Sequence, residues 1–307
     1  MENIVLQTCA INKKYGSHYA LHNVDISLQL GHIYGFIGEN GAGKTTLLRI
    51  ISGLTFPTTG ELVLFEQSTV KELEAGRRLL GSTIESPAFH PNYSAKRNLE
   101  LQRILVGNPD KNIAEHLLQL VGLSDCGSKR VKDFSMGMKQ RLGIALSLVG
   151  NPKMLILDEP INGLDPKGIA DLREILQRLN AEQKITILLS SHILSELYLL
   201  ATDYIIIHEG KILESLTHEK LEKACQKYIS IRMDDTSLGV TALEKELGTA
   251  NFRVMENGMV HLYDYINDIS VVAKALRKHD ILTTHIALSE QSLEEYYLSL
   301  IGGSYHV

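Results

Sequence analysis

The sequence predicts an α/β protein: a large domain on a mostly parallel sheet, followed by a small C-terminal α/β domain. Three observations predict it. The runs "MLILD", "ITILLSS" and "DYIIIH" have the length and branched apolar content of strands buried on both faces. Between the first two lies "KGIADLREILQRLNAEQ", with apolar residues at helical spacing. Strands alternating with helices in this way build a parallel sheet. Between residues 215 and 225 the pattern then changes to shorter alternating segments.

Taken in order, residues 3 to about 34 read as short strands, "IVLQTCAI", "HNVDISLQL" and "GHIYGFIG", the last running into a glycine-rich loop. "KTTLLRIISGL" then reads as a helix that stops at Gly53, before the turn "FPTTG". Residues 95–150 are mostly helical, through "AKRNLELQRILVG", "NIAEHLLQLVGL" and "MGMKQRLGIALSLVG". "KMLILDEP" and "KITILLSSH" are the buried strands on either side of the helix quoted above. The expected boundaries are 1–221 for the main domain, with a helical subdomain at about 86–150, and 222–307 for the second.

In that second domain "KYISIRM" is a strand, "VTALEKELG" a helix, and "FRVMENGMVHLYD" two alternating runs around Asn257-Gly258, a strong hairpin signal. "ISVVAKALRKHD", "ILTTHIALS" and "SLEEYYLSLIGG" follow as helix, strand and helix, the last opened by the capping pair Ser292 and Glu295 and closed by Gly302. The order β-α-β-β-α-β-α is compatible with a ferredoxin-like arrangement.

Composition narrows the function. With 44% apolar and 22% charged residues the chain is an ordinary globular protein. A net charge of -5 offers no basic surplus for phosphates, so no nucleic-acid partner is expected. The three cysteines, Cys9, Cys126 and Cys225, and the twelve histidines show no metal-ligand spacing, so no zinc site is expected. The first residues lack a secretion signal and no apolar run has the length of a membrane span, which predicts a cytoplasmic chain.

The chemistry concentrates in "FIGENGAGKTTLLRI". From Gly38 to Thr45 it matches G-x-x-x-x-G-K-[ST], with an apolar strand before and a helix after. Gly38, Gly41 and Gly43, with Asn40 and Ala42, let the backbone curl so that amides and the helix N-terminus face phosphate oxygens. Lys44 is expected to reach the β- and γ-phosphates of a nucleoside triphosphate, Thr45 to hold Mg²⁺, and Thr46 to support a neighbouring phosphate. Asp158 and Glu159 end an apolar strand, where two adjacent carboxylates need a cation or partner. Asp158 suits the metal, and Glu159 a base for the attacking water.

Between these motifs stands "DFSMGMKQRLGIA", and here the chain resembles an ABC-type ATPase, a P-loop NTPase with a mixed sheet core and a helical subdomain. The family signature LSGGQ is represented by Phe134-Ser135-Met136-Gly137-Met138: Ser135 and Gly137 match, while Met136 and Met138 depart. The resemblance implies that Ser135 and Gly137 meet the γ-phosphate of nucleotide on an opposing subunit, so a second ATPase subunit, a homodimer or a heteromeric pair, is expected. It further implies that Asp165, in "NGLDP", bridges the subunits, that His192, in "LLSSH", contacts the γ-phosphate, and that Tyr15, in "KKYG", stacks on adenine. Where the family usually has glutamine, this chain has Glu85, expected near metal and water and able to ligate Mg²⁺.

"IESPAFHP", "SMGMKQRLGIA", "DEPINGLDP" and the ending "SLEEYYLSLIGG" resemble a narrower group, the ATPases of bacitracin-resistance and lantibiotic-immunity exporters of Gram-positive bacteria. That resemblance implies separate integral-membrane permease subunits that handle the peptide antibiotic, with this chain peripheral on the inner membrane face. Export of another amphipathic drug or lipid, or a permease-bound ATPase that senses antibiotic, is the alternative within transport. A soluble ABC protein acting on ribosomes would normally carry two ATPase domains, and a chromosome ATPase a long coiled coil. One motif set without sustained heptads argues against both.

Overall fold

The computed structural model describes residues 4–255, 257–290 and 292–302. It forms two compact units, Met1–His218 and Glu219–Val307, a division that falls three residues before the expected boundary.

In the first unit β1 (Ile4–Tyr15) and β2 (His18–Gln29) pair antiparallel; residue 3, where the first strand was expected to begin, lies outside the described residues. Both strands are twelve residues long rather than short, because register shifts along β1 carry the ladder through the polar stretch "NKKY". β3 (Ile33–Ile37) leads into α1 (Lys44–Ile51), and β4 (Thr59–Leu64) returns to pair with β1, giving a three-stranded antiparallel sheet in the order β2-β1-β4. α2 (Val70–Arg77), opened by the capping box Thr69/Glu72, and β5 (Leu80–Thr83) lead to a helical layer of α3 (Ala95–Val106), α4 (Ile113–Leu120) and α5 (Met136–Leu148). β6 (Met154–Asp158), α6 (Pro166–Gln183), β7 (Thr186–Ser191), α7 (Leu194–Leu200), β8 (Asp203–His208) and β9 (Lys211–Thr217) complete it.

The larger sheet has six strands in the order β5-β6-β7-β3-β8-β9, parallel except for the edge strand β9. Every residue of β3, β6 and β7 is buried, as expected of central parallel strands covered on both faces. α1 lies between the two sheets. Its Leu47, Leu48, Ile50 and Ile51 are fully buried, in one core with Leu6 and Ile11 of β1, Leu28 of β2, Ile156 of β6 and Ile207 of β8. An eight-residue helix of this composition is marginal in water, so burial holds it. Truncating one such leucine costs about 2–5 kcal/mol.

α8 (His218–Ala224) begins at the last residue of the first unit. The second unit continues with β10 (Lys227–Met233), α9 (Thr236–Leu247), β11 (Phe252–Val254), β12 (Val260–Leu262), α10 (Ile269–Arg277), β13 (Thr283–Glu290) and α11 (Leu293–Leu300). Its antiparallel sheet has the order β11-β12-β10-β13, the split βαβ pattern in which β12 lies between β10 and β11. Ile229 and Ile231, Leu243, and Val272 and Leu276 build a core of its own. The β11–β12 turn is wider than an Asn-Gly pair. Met255 N donates to Met259 O and Gly258 N to Met255 O, with Gly258 at φ 78° closing the loop. The capping box of Ser292 and Glu295 opens α11.

Burial pushes the Cys225 thiol up to about 11, aided by Glu290, Glu295 and Glu294. Burial likewise pushes the Tyr34 hydroxyl up to about 12, opposed by its bond to the Gln29 backbone. Both groups are neutral when protonated, and the folded value lies above the unfolded one. Their stabilisation is therefore complete below the ordinary values of 9.0 and 10.0 and is lost as pH rises through about 11 and about 12. The melting temperature is expected to fall from pH 9 to 11 less steeply in C225S than in the native protein. Equal slopes, read by calorimetry across that range, would refute the assignment to Cys225.

Candidate active site

Three neighbouring parallel strands, β6, β7 and β3, deliver the candidate residues at their carboxyl ends, where open α/β sheets bind ligands. β3 runs into the glycine loop. A β-carbon on Gly38 would sit 2.6 Å from Ile207 O, and one on Gly43 2.6 Å from Ala20 O, with Gly43 at φ 110°. Only glycine lets the loop pass so close to β8 and β2. Ala42 is buried and donates its N–H to Glu39 O at 3.1 Å, while Asn40 and Gly41 are exposed at the loop tip. No side chain caps α1, so its first amides face the loop.

Lys44 is 5% exposed, and its Nζ donates to Gly38 O at 2.6 Å and to Glu39 O at 3.2 Å. Thr45 Oγ1 donates to Asp158 Oδ2 at 2.9 Å. Ser190 Oγ donates to the other oxygen, Oδ1, at 2.6 Å, and accepts from Glu159 N at 2.9 Å. Glu159 has φ 50°, a left-handed backbone that costs a residue with a side chain about 1–3 kcal/mol. Its Oε2 lies 2.8 Å from His192 Nδ1 and accepts from His192 N at 3.3 Å. Its Oε1 lies 3.6 Å from Lys44 Nζ and is buried without a hydrogen-bond partner. One cluster thus joins Lys44, Thr45, Asp158, Glu159 and His192. Thr46 follows on α1, half-buried.

The other expected residues stand apart from this cluster. Ser135 caps α5, accepting from Met138 N at 3.3 Å, and Gly137 lies in that helix's first turn, with Leu164 its nearest neighbour beyond the helix. Asp165 caps α6, accepting from Gly168 N at 3.0 Å. Tyr15 ends β1 with its side chain half-exposed and Lys13 Nζ 4.9 Å from the ring centroid. Glu85, at φ 64°, has its carboxylate paired with Arg49 of α1. Two residues escaped the sequence reading. Ser190 left one signal, a hydroxyl two places before His192 at the end of a strand whose middle is apolar; Arg49 left none.

The donor set suits a hard divalent cation: the Thr45 hydroxyl and the Asp158 carboxylate converge beside the loop, oxygen ligands of the kind Mg²⁺ prefers. Among the described residues no group of three or more His, Cys, Asp or Glu side chains is disposed to hold a metal unaided, so the remaining ligands would be phosphate oxygens and water.

The family model described as ABC transporter matches residues 21–162. A bacitracin transport ATP-binding protein, BcrA of Bacillus licheniformis, is 39% identical over 97% of this chain and 98% of its own length. The chain belongs to the ATP-binding proteins of ABC transporters. This ABC protein is also 45% identical, over 66% of its length, to the lantibiotic transport ATP-binding protein SrtF of Streptococcus pyogenes, of which 86% is covered. Among solved structures it resembles a dimeric ATP-binding cassette, MJ0796, bound to ADP and Pi. The TM-score is 0.63 and the identity 25%, over 69% of this chain and 98% of that one. The ABC-type ATPase fold of the first unit is therefore the one expected.

The Arg49–Glu85 pair is partly exposed, with side-chain exposures of 39% and 61%, so screening limits its worth. A double-mutant cycle of R49Q and E85Q should give a coupling of about 0.2–1 kcal/mol that shrinks in 0.5 M salt. Additive effects on the unfolding midpoint would show that the two side chains do not interact.

Proposed function

We propose that this chain is the ATP-hydrolysing subunit of an exporter that removes a peptide antibiotic of the bacitracin or lantibiotic type through separate permease subunits. The observation that carries the ATPase chemistry is the convergence of Lys44, Thr45, Asp158, Glu159 and His192 on three adjacent strand ends. The cargo rests on full-length similarity to a bacitracin transport protein and on the lantibiotic relative.

The roles follow from the contacts. The loop amides and the α1 N-terminus bind the phosphates, and Lys44 neutralises them, exchanging its present carbonyl partners for phosphate oxygens. Tyr15 offers its exposed ring to adenine, and Thr46 supports a phosphate beside Thr45. Thr45 and Asp158 hold Mg²⁺. When bound, that ion offsets charge on the β- and γ-phosphate oxygens. Glu159, with one oxygen oriented by His192 and the other free of hydrogen bonds, takes a proton from the attacking water at Oε1. His192 is aligned by that carboxylate to meet the γ-phosphate.

Ser135, Gly137 and Asp165 act across a dimer interface, where the α5 N-terminus of one subunit closes over nucleotide held by the other. A homodimer is the simplest such assembly. Glu85 enters as an ion-paired carboxylate, able to approach metal only by leaving Arg49.

The permease is inferred from surface and sequence together. A groove of about 970 Å³ in the first unit has a largely polar lining, with Arg77, Arg78 and Gln102, that also includes the exposed apolar residues Leu54, Ile104, Leu105 and Val106, of which Leu105 is 78% exposed. Such a patch suits a protein partner. No helix among the described residues is long and apolar enough to cross a membrane. On this reading the permease supplies the spanning segments, and the chain sits against it at the inner membrane face.

E159Q is expected to bind ATP normally but hydrolyse it at least about 100-fold more slowly; an undiminished rate would remove Glu159 as the base. Pull-down of tagged E159Q with ATP from host membranes should recover an integral-membrane permease, and L105E should lose it. Recovery of ribosomal proteins with no membrane chain would overturn the exporter. With the permease in hand, protection of cells against bacitracin or a lantibiotic tests the cargo.

A further inference from the structure

The two acids at the end of β6 are held by Ser190, which stands within "LLSSH" but has no role assigned to it there. Ser190 is fully buried, near the end of β7, in parallel register beside Asp158. A fully buried hydroxyl is costly unless it is hydrogen-bonded, and this one is bonded on both sides. It spends its only proton on Asp158 Oδ1 and accepts the Glu159 N–H on a lone pair.

We propose that Ser190 is a positioning residue for ATP hydrolysis: it divides the Asp158 carboxylate between protein and metal, and in the same contact fixes the backbone that carries Glu159. The inference rests on the ATPase reading above.

Two consequences follow from the geometry. With Oδ1 held by Ser190, the carboxylate cannot rotate freely, and Oδ2 faces Thr45, the other proposed metal ligand. With its N–H anchored, Glu159 is kept in the left-handed conformation that turns its carboxylate toward His192 and Lys44. One hydroxyl therefore couples where the metal sits to where the base sits. Valine or alanine would fill the same buried position but leave Oδ1 and the Glu159 N–H unpaired. Partners that orient metal ligands in this way typically govern affinity or activity by about 10–100-fold, and a single hydroxyl is expected to contribute about tenfold.

The test compares the native protein with S190A, S190T and S190C. Mn²⁺ binding to the protein with a non-hydrolysable ATP analogue is followed by electron paramagnetic resonance. Metal-free binding of a fluorescent ATP analogue and steady-state ATPase are measured in parallel. In S190A the Mn²⁺ half-saturation should rise about tenfold and kcat fall by a similar factor. The metal-free nucleotide affinity and KM for ATP should stay unchanged, and S190T, which keeps the hydroxyl, should restore both properties. Should S190A melt below the assay temperature, S190C carries the same comparison, because a thiol is a poor donor of similar size. An S190A or S190C protein with native Mn²⁺ binding and kcat would overturn the proposal, as would a loss that S190T does not recover. Native protein that binds no Mn²⁺ with the analogue and hydrolyses no ATP would instead fault the ATPase reading itself.

Discussion

The structure depends on the burial of one short helix. α1 has eight residues, two of them threonine and two isoleucine, and little tendency to persist alone. It exists because Leu47, Leu48, Ile50 and Ile51 are enclosed between an antiparallel sheet on one side and a parallel sheet on the other. The same enclosure fixes its free amide end beside β3 and carries Lys44 and Thr45 with it. A core that would otherwise serve only stability thereby orients the groups proposed to bind phosphate.

The polar groups at the sheet's end are expensive where they stand. Lys44 and Asp158 are nearly inaccessible and Ser190 fully so. Each is tolerated because its neighbours supply the missing partner: loop carbonyls for the lysine, Thr45 and Ser190 for the two oxygens of the aspartate. Such a network is rigid in the ground state, and the oxygen of Glu159 with no hydrogen bond is its conspicuous gap. Glu159 and Glu85 are among several acidic residues with left-handed backbone, and at both the chain accepts strain beside an ion-paired carboxylate. The two differ in outcome, since one carboxylate turns into the cluster and the other to Arg49.

The signature segment behaves differently. Ser135 and Asp165 spend their side-chain oxygens capping their own helices, a local use that any helix start could make. The role proposed for them in ATP chemistry would need a second subunit, with the site split across a symmetric interface. The second unit has its own core and a split βαβ sheet, so it is built to fold around its own apolar residues.

By itself the sequence determined the alternation of strands and helices, the glycine loop, the acid pair, the family resemblance and the capping box of α11. Each is written in neighbouring residues: a run, a spacing, a short motif. Only the tertiary structure decided what the long-range pairings bring together. It extended the first two strands through their polar ends, paired β4 with β1, and widened the turn around Asn257-Gly258. It also selected Ser190 as the partner of Asp158 and Arg49 as the partner of Glu85. The physical reason is that a buried hydroxyl or an ion pair is chosen by strand order and register across residues far apart in the chain. No local pattern in an apolar strand or a short helix records which polar group will stand beside it.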